Sequence, residues 1–161
     1  MIIREASLQD WKQIYPFFRE IVAAGTSYAY PEDLNSEQAR ELWMGQGRTV
    51  VAVQDGLVLG TAAMGVNRPG RGNHIATGSF MVDSRHSGRG VGRALGEHLI
   101  DWARAAGYRG IQFNAVVESN TVAVKLWSSL GFQIIGTVPG AFKQLDGDYV
   151  GLHVMYLSLL D

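Results

Sequence analysis

The stretch Ser87-Gly88-Arg89-Gly90-Val91-Gly92-Arg93-Ala94-Leu95 constrains this chain more than any other. It follows the apolar run Phe80-Met81-Val82 and opens an amphipathic segment that continues to Gly107. A strand, a glycine-rich turn and a helix start, in that order, make an anion site. Glycines let a phosphate approach the backbone with no Cβ in the way. The first helical N–H groups have no intrahelical partner and point at such a ligand. The helix dipole adds roughly 0.3–1 kcal/mol for a negative group there. Arg89 and Arg93 are placed to add charge-assisted contacts.

Two phosphate loops are excluded. The Walker pattern ends in Gly-Lys-Ser/Thr, which this loop lacks. The dinucleotide pattern G-x-G-x-x-G needs a small third residue, and here Arg93 (counted from Gly88) or Leu95 (from Gly90) stands there. A third pattern fits. Gly88-x-Gly90-Val91-Gly92-x-x-Leu95 resembles the coenzyme A pyrophosphate loop of the GNAT acetyltransferases. A second motif follows, Asn120-x-x-Ala123-x-x-Leu126-Trp127-x-x-x-Gly131-Phe132, which resembles another hallmark of that family. Its physics is readable. Asn120 caps a helix, and Ala123 is small enough for a ligand to lie against it. Leu126 and Leu130 form a buried stripe, Gly131 ends the helix, and Phe132 starts the next strand. The resemblance runs from Ile2 to Leu159 and is densest from Phe80 to Phe142.

Composition bounds what else is possible. The 161 residues suit one domain, taken as residues 1–161, and a hydrophobic content of 47% is enough for a full core. A net charge of −1 supplies no global field toward nucleic acid or an anionic membrane, so any anion site is local. The absence of cysteine excludes disulfides, thiolate metal sites and a cysteine nucleophile. The four histidines are scattered, so no metal is expected. No signal-peptide pattern and no long apolar run occur, which leads to the expectation of a cytoplasmic protein.

Periodicity gives the elements. Strands are expected at Ile2–Ala6, Thr49–Gln54, Val58–Val66, Ile75–Val82, Ile111–Val117, Gln133–Val138 and Val150–Leu157. Ser7 with Asp10 starts a first helix bearing Trp11, Ile14, Tyr15, Phe18, Ile21 and Val22, with Pro16 as a blemish or kink. Asn35-Ser36-Glu37 starts a second, ending near Gly45, and Asp55-Gly56 is a hairpin turn. The third helix buries Val91, Leu95, Leu99 and Trp102. Loops are expected at Gly25–Pro31 and Pro139–Asp148. The fold class is α/β (α+β): one central, mostly antiparallel mixed sheet flanked by helices, as in the GNAT fold.

The resemblance implies direct transfer of acetyl from acetyl-CoA to an amine, with no covalent enzyme intermediate. The amine must lose a proton before attack. Glu32, Asp33, Glu118, His74 and His153 are the candidate bases; none stands out, and each reads more readily as a solvated or structural group. In the family a backbone N–H of the strand before the loop faces the thioester oxygen, which maps to Met81 and Val82. Carried over likewise, coenzyme contacts fall on Met81, Val82, Ser87, Gly88, Arg89, Gly90, Val91, Gly92, Arg93, Asn120, Ala123 and Trp127. Two departures stand out. Trp127 replaces the usual tyrosine, and an indole N–H donates a hydrogen bond without surrendering a proton. Ser87 replaces the usual Arg or Gln, a charge that Arg85 or Arg89 could supply.

Thr26-Ser27-Tyr28 and the loop to Pro31 look like the substrate loop of enzymes acetylating phosphinothricin and methionine sulfoximine. Phe113-Asn114-Ala115-Val116-Val117 resembles enzymes acting on proline analogues, where the strand Asn and the following backbone hold a carboxylate. On that carry-over Tyr28, Tyr30, Glu32, Asn114 and Ala115 face the substrate, although Asn114 equally reads as a bridge between diverging strands. Three alternatives stay open: a non-catalytic acyl-CoA-binding module, a peptide or protein N-terminal acetyltransferase, and a structural domain without coenzyme. A homodimer through the apolar final strand, Val150 to Leu160, is a further expectation by family analogy.

Overall fold

A computed structural model describes residues 1–161. The elements run in the order β1 (Ile2–Glu5), α1 (Trp11–Ala24), α2 (Ser36–Met44), β2 (Arg48–Gln54), β3 (Leu57–Val66) and β4 (Ile75–Val82). They continue with α3 (Val91–Ala105), β5 (Gly110–Val117), α4 (Thr121–Ser129), β6 (Gln133–Lys143) and β7 (Tyr149–Ser158). The strands form one sheet in the order β1-β2-β3-β4-β5-β7-β6. Every neighbouring pair is antiparallel except β4 with β5, which is parallel. This is the mixed sheet that the alternation of apolar runs implied.

Local chemistry explains the boundaries. Asp10 sits at the entry to α1, where its carboxylate accepts from the Ser7 N–H at 2.7 Å and takes both arms of Arg4 at 2.8 and 3.0 Å. Asn35 and Gln38 form a reciprocal capping box at α2, with bonds of 2.8 and 3.0 Å. Asp55 and Gly56 both adopt positive φ, 52° and 76°, as a tight two-residue hairpin turn demands. Pro16 lies on the exposed face of α1, and the helix runs through it unbroken to Gly25, which terminates it in the left-handed conformation.

Successive residues of a strand face opposite sides of the sheet, and two cores result. Val51, Val58 and Met81 pack beneath α1 and α2 with Ile14, Phe17, Phe18 and Trp43. Val50, Ala52, Leu59 and Ala62 pack on the other face with Leu95, Leu99, Trp127 and Met155. Trp102, expected in the buried stripe of α3, is only partly buried and lies against Tyr108 with ring centroids 5.2 Å apart.

Two expectations at the C-terminal end are corrected. The strand expected at Gln133–Val138 continues to Lys143, so the connection shrinks to Gln144–Asp148. Pairing resumes past an irregularity between Val138 and Phe142, where Gly140 takes a φ of 59°, and Phe142 is buried opposite Val150. Pro139, which reads as a breaker in sequence, is tolerated because β6 is an edge strand. The final strand β7, expected at the edge, lies inside the sheet between β5 and β6. No helix is long and apolar enough to cross a membrane.

The Asp10 cluster makes a stability prediction. Its carboxyl is held below the ordinary range, first by hydrogen bonding from Arg4 and then by the Ser7 backbone, against the opposing effect of burial. A depressed folded pKa contributes stability above the unfolded value that disappears as pH falls through the folded one. Asp10→Ala is expected to cost about 1–2 kcal/mol at pH 7, the scale of a lost helix cap. The difference from the parent should shrink toward acid pH, as followed by urea denaturation at pH 7 and below pH 4.

Candidate active site

The site begins with a failure of strand pairing. β4 and β5 pair only at Ile75 with Gly110 and Ala76 with Ile111, and then diverge. On β5 the register with β7 breaks between Phe113 and Val116, leaving Asn114 and Ala115 in a bulge. Beside the widening gap the Phe80 ring packs on the α3 side of the sheet, with ring centroids 5.7 Å from Phe113 and 4.6 Å from Trp127.

Backbone polarity shows which residues of β4 face that gap. The Asp83 N–H donates to Leu59 on β3 at 2.9 Å, and the Ile75 carbonyl accepts from Asn67 beyond the end of β3 at 2.8 Å. On the other edge, the His74 carbonyl accepts from Arg109, just before β5, at 2.9 Å. Backbone groups alternate in direction along a strand. Met81 therefore points its N–H toward β3, with its side chain in the core under α1. Gly78, Phe80 and Val82 face the gap. Of the two residues expected to present an amide to a thioester, Val82 points its N–H into the gap and Met81 does not; Phe80 also points its N–H there, donating to the Tyr28 hydroxyl at 2.7 Å. The sequence carried the alternation but not which edge of β4 would be open.

The gap opens into a cavity of about 780 Å³. Its loop end is built by the turn after β4. Asp83 is 1% exposed; its carboxylate accepts from the Arg85 N–H at 3.1 Å and pairs with the Arg85 guanidinium at 2.7 Å, which holds the carboxyl below its usual range. Gly88 and Gly90 have φ of 79° and 77°, and a Cβ on either would meet nothing within 4 Å. The left-handed backbone and open space together explain why glycine stands there. Gly90 leads directly into α3, whose first N–H groups are unpaired by construction.

The candidate residues are distributed as follows. Ser87, Gly88, Gly90, Val91, Gly92 and Arg93 line the loop end of the cavity, while Arg89 does not. The Arg93 guanidinium is drawn away, donating to Ser129 Oγ at 2.6 Å. Ser87 donates to the Ser84 carbonyl at 3.0 Å. On α4, Asn120, Ala123 and Trp127 line the wall, and Asn120 Oδ1 caps the helix by accepting from the Ala123 N–H at 3.3 Å. Trp127 is 6% exposed. Gly96 on α3 makes room for it, since a Cβ there would lie 2.8 Å from the indole.

At the far end lie Tyr28, Tyr30, Asn114 and Ala115. Asn114 Nδ2 donates to Asn67 at 2.7 Å while its Oδ1 accepts from Gln112 at 3.0 Å, so it both lines the cavity and bridges to the loop after β3. Phe142, expected in a loop, closes this end with Leu152.

The candidate bases lie elsewhere. Glu118 Oε1 accepts from the Gly151 N–H at 2.6 Å, tying β5 to β7 outside the cavity. Glu32 lines a separate groove with Tyr15 and Arg19. His153 is bonded to Thr137 at 2.7 Å, and His74 is exposed. No carboxylate lines the main cavity, and its single imidazole is that of His86, whose Nδ1 is buried without a partner.

A mixed sheet split between two parallel strands, with a glycine loop and helix N-terminus at the mouth of the split, defines an acyltransferase of the coenzyme-binding type. The chain belongs to the Acetyltransferase (GNAT) family, whose model matches residues 9–132. It is 31% identical, over 98% of its length and 94% of the other's, to the L-methionine sulfoximine/L-methionine sulfone acetyltransferase of Pseudomonas paraeruginosa. The solved structure of a GCN5-related N-acetyltransferase from Kribbella flavida is 60% identical with a TM-score of 0.94, covering 98% of this chain and 97% of that one. Another, yncA from Salmonella typhimurium with its cofactor acetyl-CoA, is 26% identical with a TM-score of 0.85, covering 100% and 95%. Two further curated relatives are much longer, and the match spans only 40% and 11% of them.

Proposed function

We propose that this domain transfers acetyl from acetyl-CoA to the amine of a small, amino-acid-like molecule. The carrying observation is a single cavity that joins the glycine loop, the open edge of β4 and the bulge of β5. The similarity to a methionine sulfoximine acetyltransferase over nearly the whole of both chains supports the substrate class, and yncA with its acetyl-CoA supports the coenzyme.

Acetyl-CoA supplies the acyl group already activated as a thioester. The amides of Gly88 to Arg93 receive the pyrophosphate at the positive end of α3. Val82, the gap-facing residue nearest the loop, pairs with the pantetheine arm, and Phe80, two residues further in, offers its N–H to the thioester oxygen. The indole N–H of Trp127 has no protein acceptor, unlike those of Trp11 and Trp43, bonded to Ser36 and Thr61 at 2.9 and 3.1 Å. It serves as a hydrogen-bond donor to the departing sulfur. A thiol of pKa about 8.5 leaves without full protonation. Asn114 and the Ala115 backbone hold the amine substrate. The exposed apolar residues Ile134, Ile135 and Val138 on edge strand β6 are where two copies would meet.

The test is thiol release from acetyl-CoA with a panel of free amino acids, proline analogues and phosphinothricin-like amines, and with N-terminal peptides in parallel. Turnover of the small amines above the peptides is expected. Coenzyme binding with no turnover on any amine would point to a non-catalytic module.

Without a cavity carboxylate, the amine loses its proton through solvent. kcat/KM is then expected to rise about one decade per pH unit up to the amine's own pKa. The inflection should move when the amine is changed. An inflection shared by all amines would instead mark a base on the protein.

A further inference from the structure

Tyr28 packs against Tyr30 and Trp43, and its hydroxyl does something packing does not require. It sits in the loop between α1 and α2, yet its hydroxyl reaches the open edge of β4. There it accepts from the Phe80 N–H at 2.7 Å and donates to the Phe80 carbonyl at 2.7 Å. Both backbone groups of one gap-facing residue are thus satisfied by one phenol, as a neighbouring strand would satisfy them. Burial, the largest influence, pushes the phenol's ionisation well upward, so it remains a protonated donor at any working pH. Its ring stacks on Tyr30 at 5.2 Å, which stacks in turn on Phe18 at 5.9 Å, and Ser79 lies beside both hydroxyls.

This inference rests on the function proposed above, in which Phe80 donates to the thioester oxygen. We propose that Tyr28 makes the site distinguish acyl-loaded from free coenzyme. Two oxygens cannot occupy one hydrogen-bonding position. An incoming thioester carbonyl must displace the Tyr28 hydroxyl from Phe80, whereas free CoA, which ends in a thiol, leaves it seated. Tyr28 and the Tyr30 ring stacked on it both line the amine end of the cavity. Arrival of an acyl group therefore rearranges the wall against which the amine binds, and a coenzyme without one does not. The consequence is order: the amine pocket is completed only on the loaded coenzyme, which disfavours a dead-end complex of amine with free CoA.

The experiment is calorimetric titration of the parent and Tyr28→Phe with acetyl-CoA and, separately, with CoA. The backbone amide of Phe80 is followed by NMR in the same samples. Phenylalanine keeps the stack on Tyr30, so the variant is expected to fold. In the parent, acetyl-CoA should shift both the Phe80 amide and the Tyr28 ring signals, while CoA shifts the glycine-loop amides and that of Val82 and leaves the Phe80 and Tyr28 signals in place. In Tyr28→Phe the ratio of acetyl-CoA to CoA affinity should rise roughly threefold to tenfold, the scale of one net hydrogen bond. A ratio changed less than twofold overturns the proposal. So does a fall in acetyl-CoA affinity, which would mean that the phenol holds the acyl group instead of yielding to it. Failure of either coenzyme to bind the folded parent overturns the proposed function, and this inference with it.

Discussion

Gly90→Val is expected to weaken acetyl-CoA binding by on the order of a hundredfold or more, equivalent to about 2.7 kcal/mol, with a smaller loss of fold stability. Gly90 has a φ of 77°, where a β-branched side chain is strained by roughly 1–2 kcal/mol. A Cβ there meets no protein atom within 4 Å, so its methyls project into the space over the loop. In the proposed coenzyme site, that space is where phosphate oxygens would approach the amides of Val91 to Arg93. Gly56 provides a matched control. It has a φ of 76° and an equally open Cβ position, but it lies in the β2–β3 hairpin away from the cavity. Gly56→Val should show similar strain in urea denaturation and unchanged coenzyme affinity by calorimetry. Equal effects of the two variants on binding would mean that the loop acts through stability alone.

Trp127 carries the second large effect, and it separates into two parts. Trp127→Ala is expected to destabilise the fold by roughly 3–5 kcal/mol, the range for deleting a buried aromatic side chain. The ring is held between Phe80, Phe113 and Phe132, with centroids at 4.6, 4.9 and 6.2 Å, and above Gly96. Trp127→Phe keeps most of that packing and removes only the N–H. It should lower kcat about tenfold to a hundredfold, as expected for one hydrogen bond to a group gaining charge, with little change in acetyl-CoA affinity. Trp127→Tyr restores a donor that can also ionise. Its rate profile should acquire a decline above about pH 10, where a phenol loses its proton, which the parent lacks. Full activity in Trp127→Phe would reduce the indole to a packing role.

Much of this was legible from the chain. The glycine loop, the capped helix at Asn120 and the strands flanking them rest on local rules, namely positive-φ glycines, side-chain caps and hydrophobic period, and the three-dimensional elements follow them closely. The errors have local causes as well. Pro139 and Gly140 look like the start of a loop, but an edge strand tolerates both, so β6 runs on to Phe142 and Lys143. Glu118 is a candidate base as a carboxylate just after a strand, yet that carboxylate is committed to the Gly151 amide. Glu32 directly follows the expected loop but lines a separate groove with Tyr15 and Arg19.

The sequence by itself determined that this chain has a mixed α/β sheet and a glycine-rich turn into α3, and that its family is the GNAT acetyltransferases. Those properties depend on residues close together in the chain, where conformational preference and side-chain size act directly. Only the tertiary structure decided which edge of β4 is open, and hence that Phe80 and not Met81 presents its amide. It also decided that Tyr28, 52 positions earlier, occupies that amide, and that β6 and not β7 forms the edge. Each of these depends on which strand lies beside which. That order is set by how the two faces of the sheet bury their apolar residues against helices distant in sequence, and no local pattern records it.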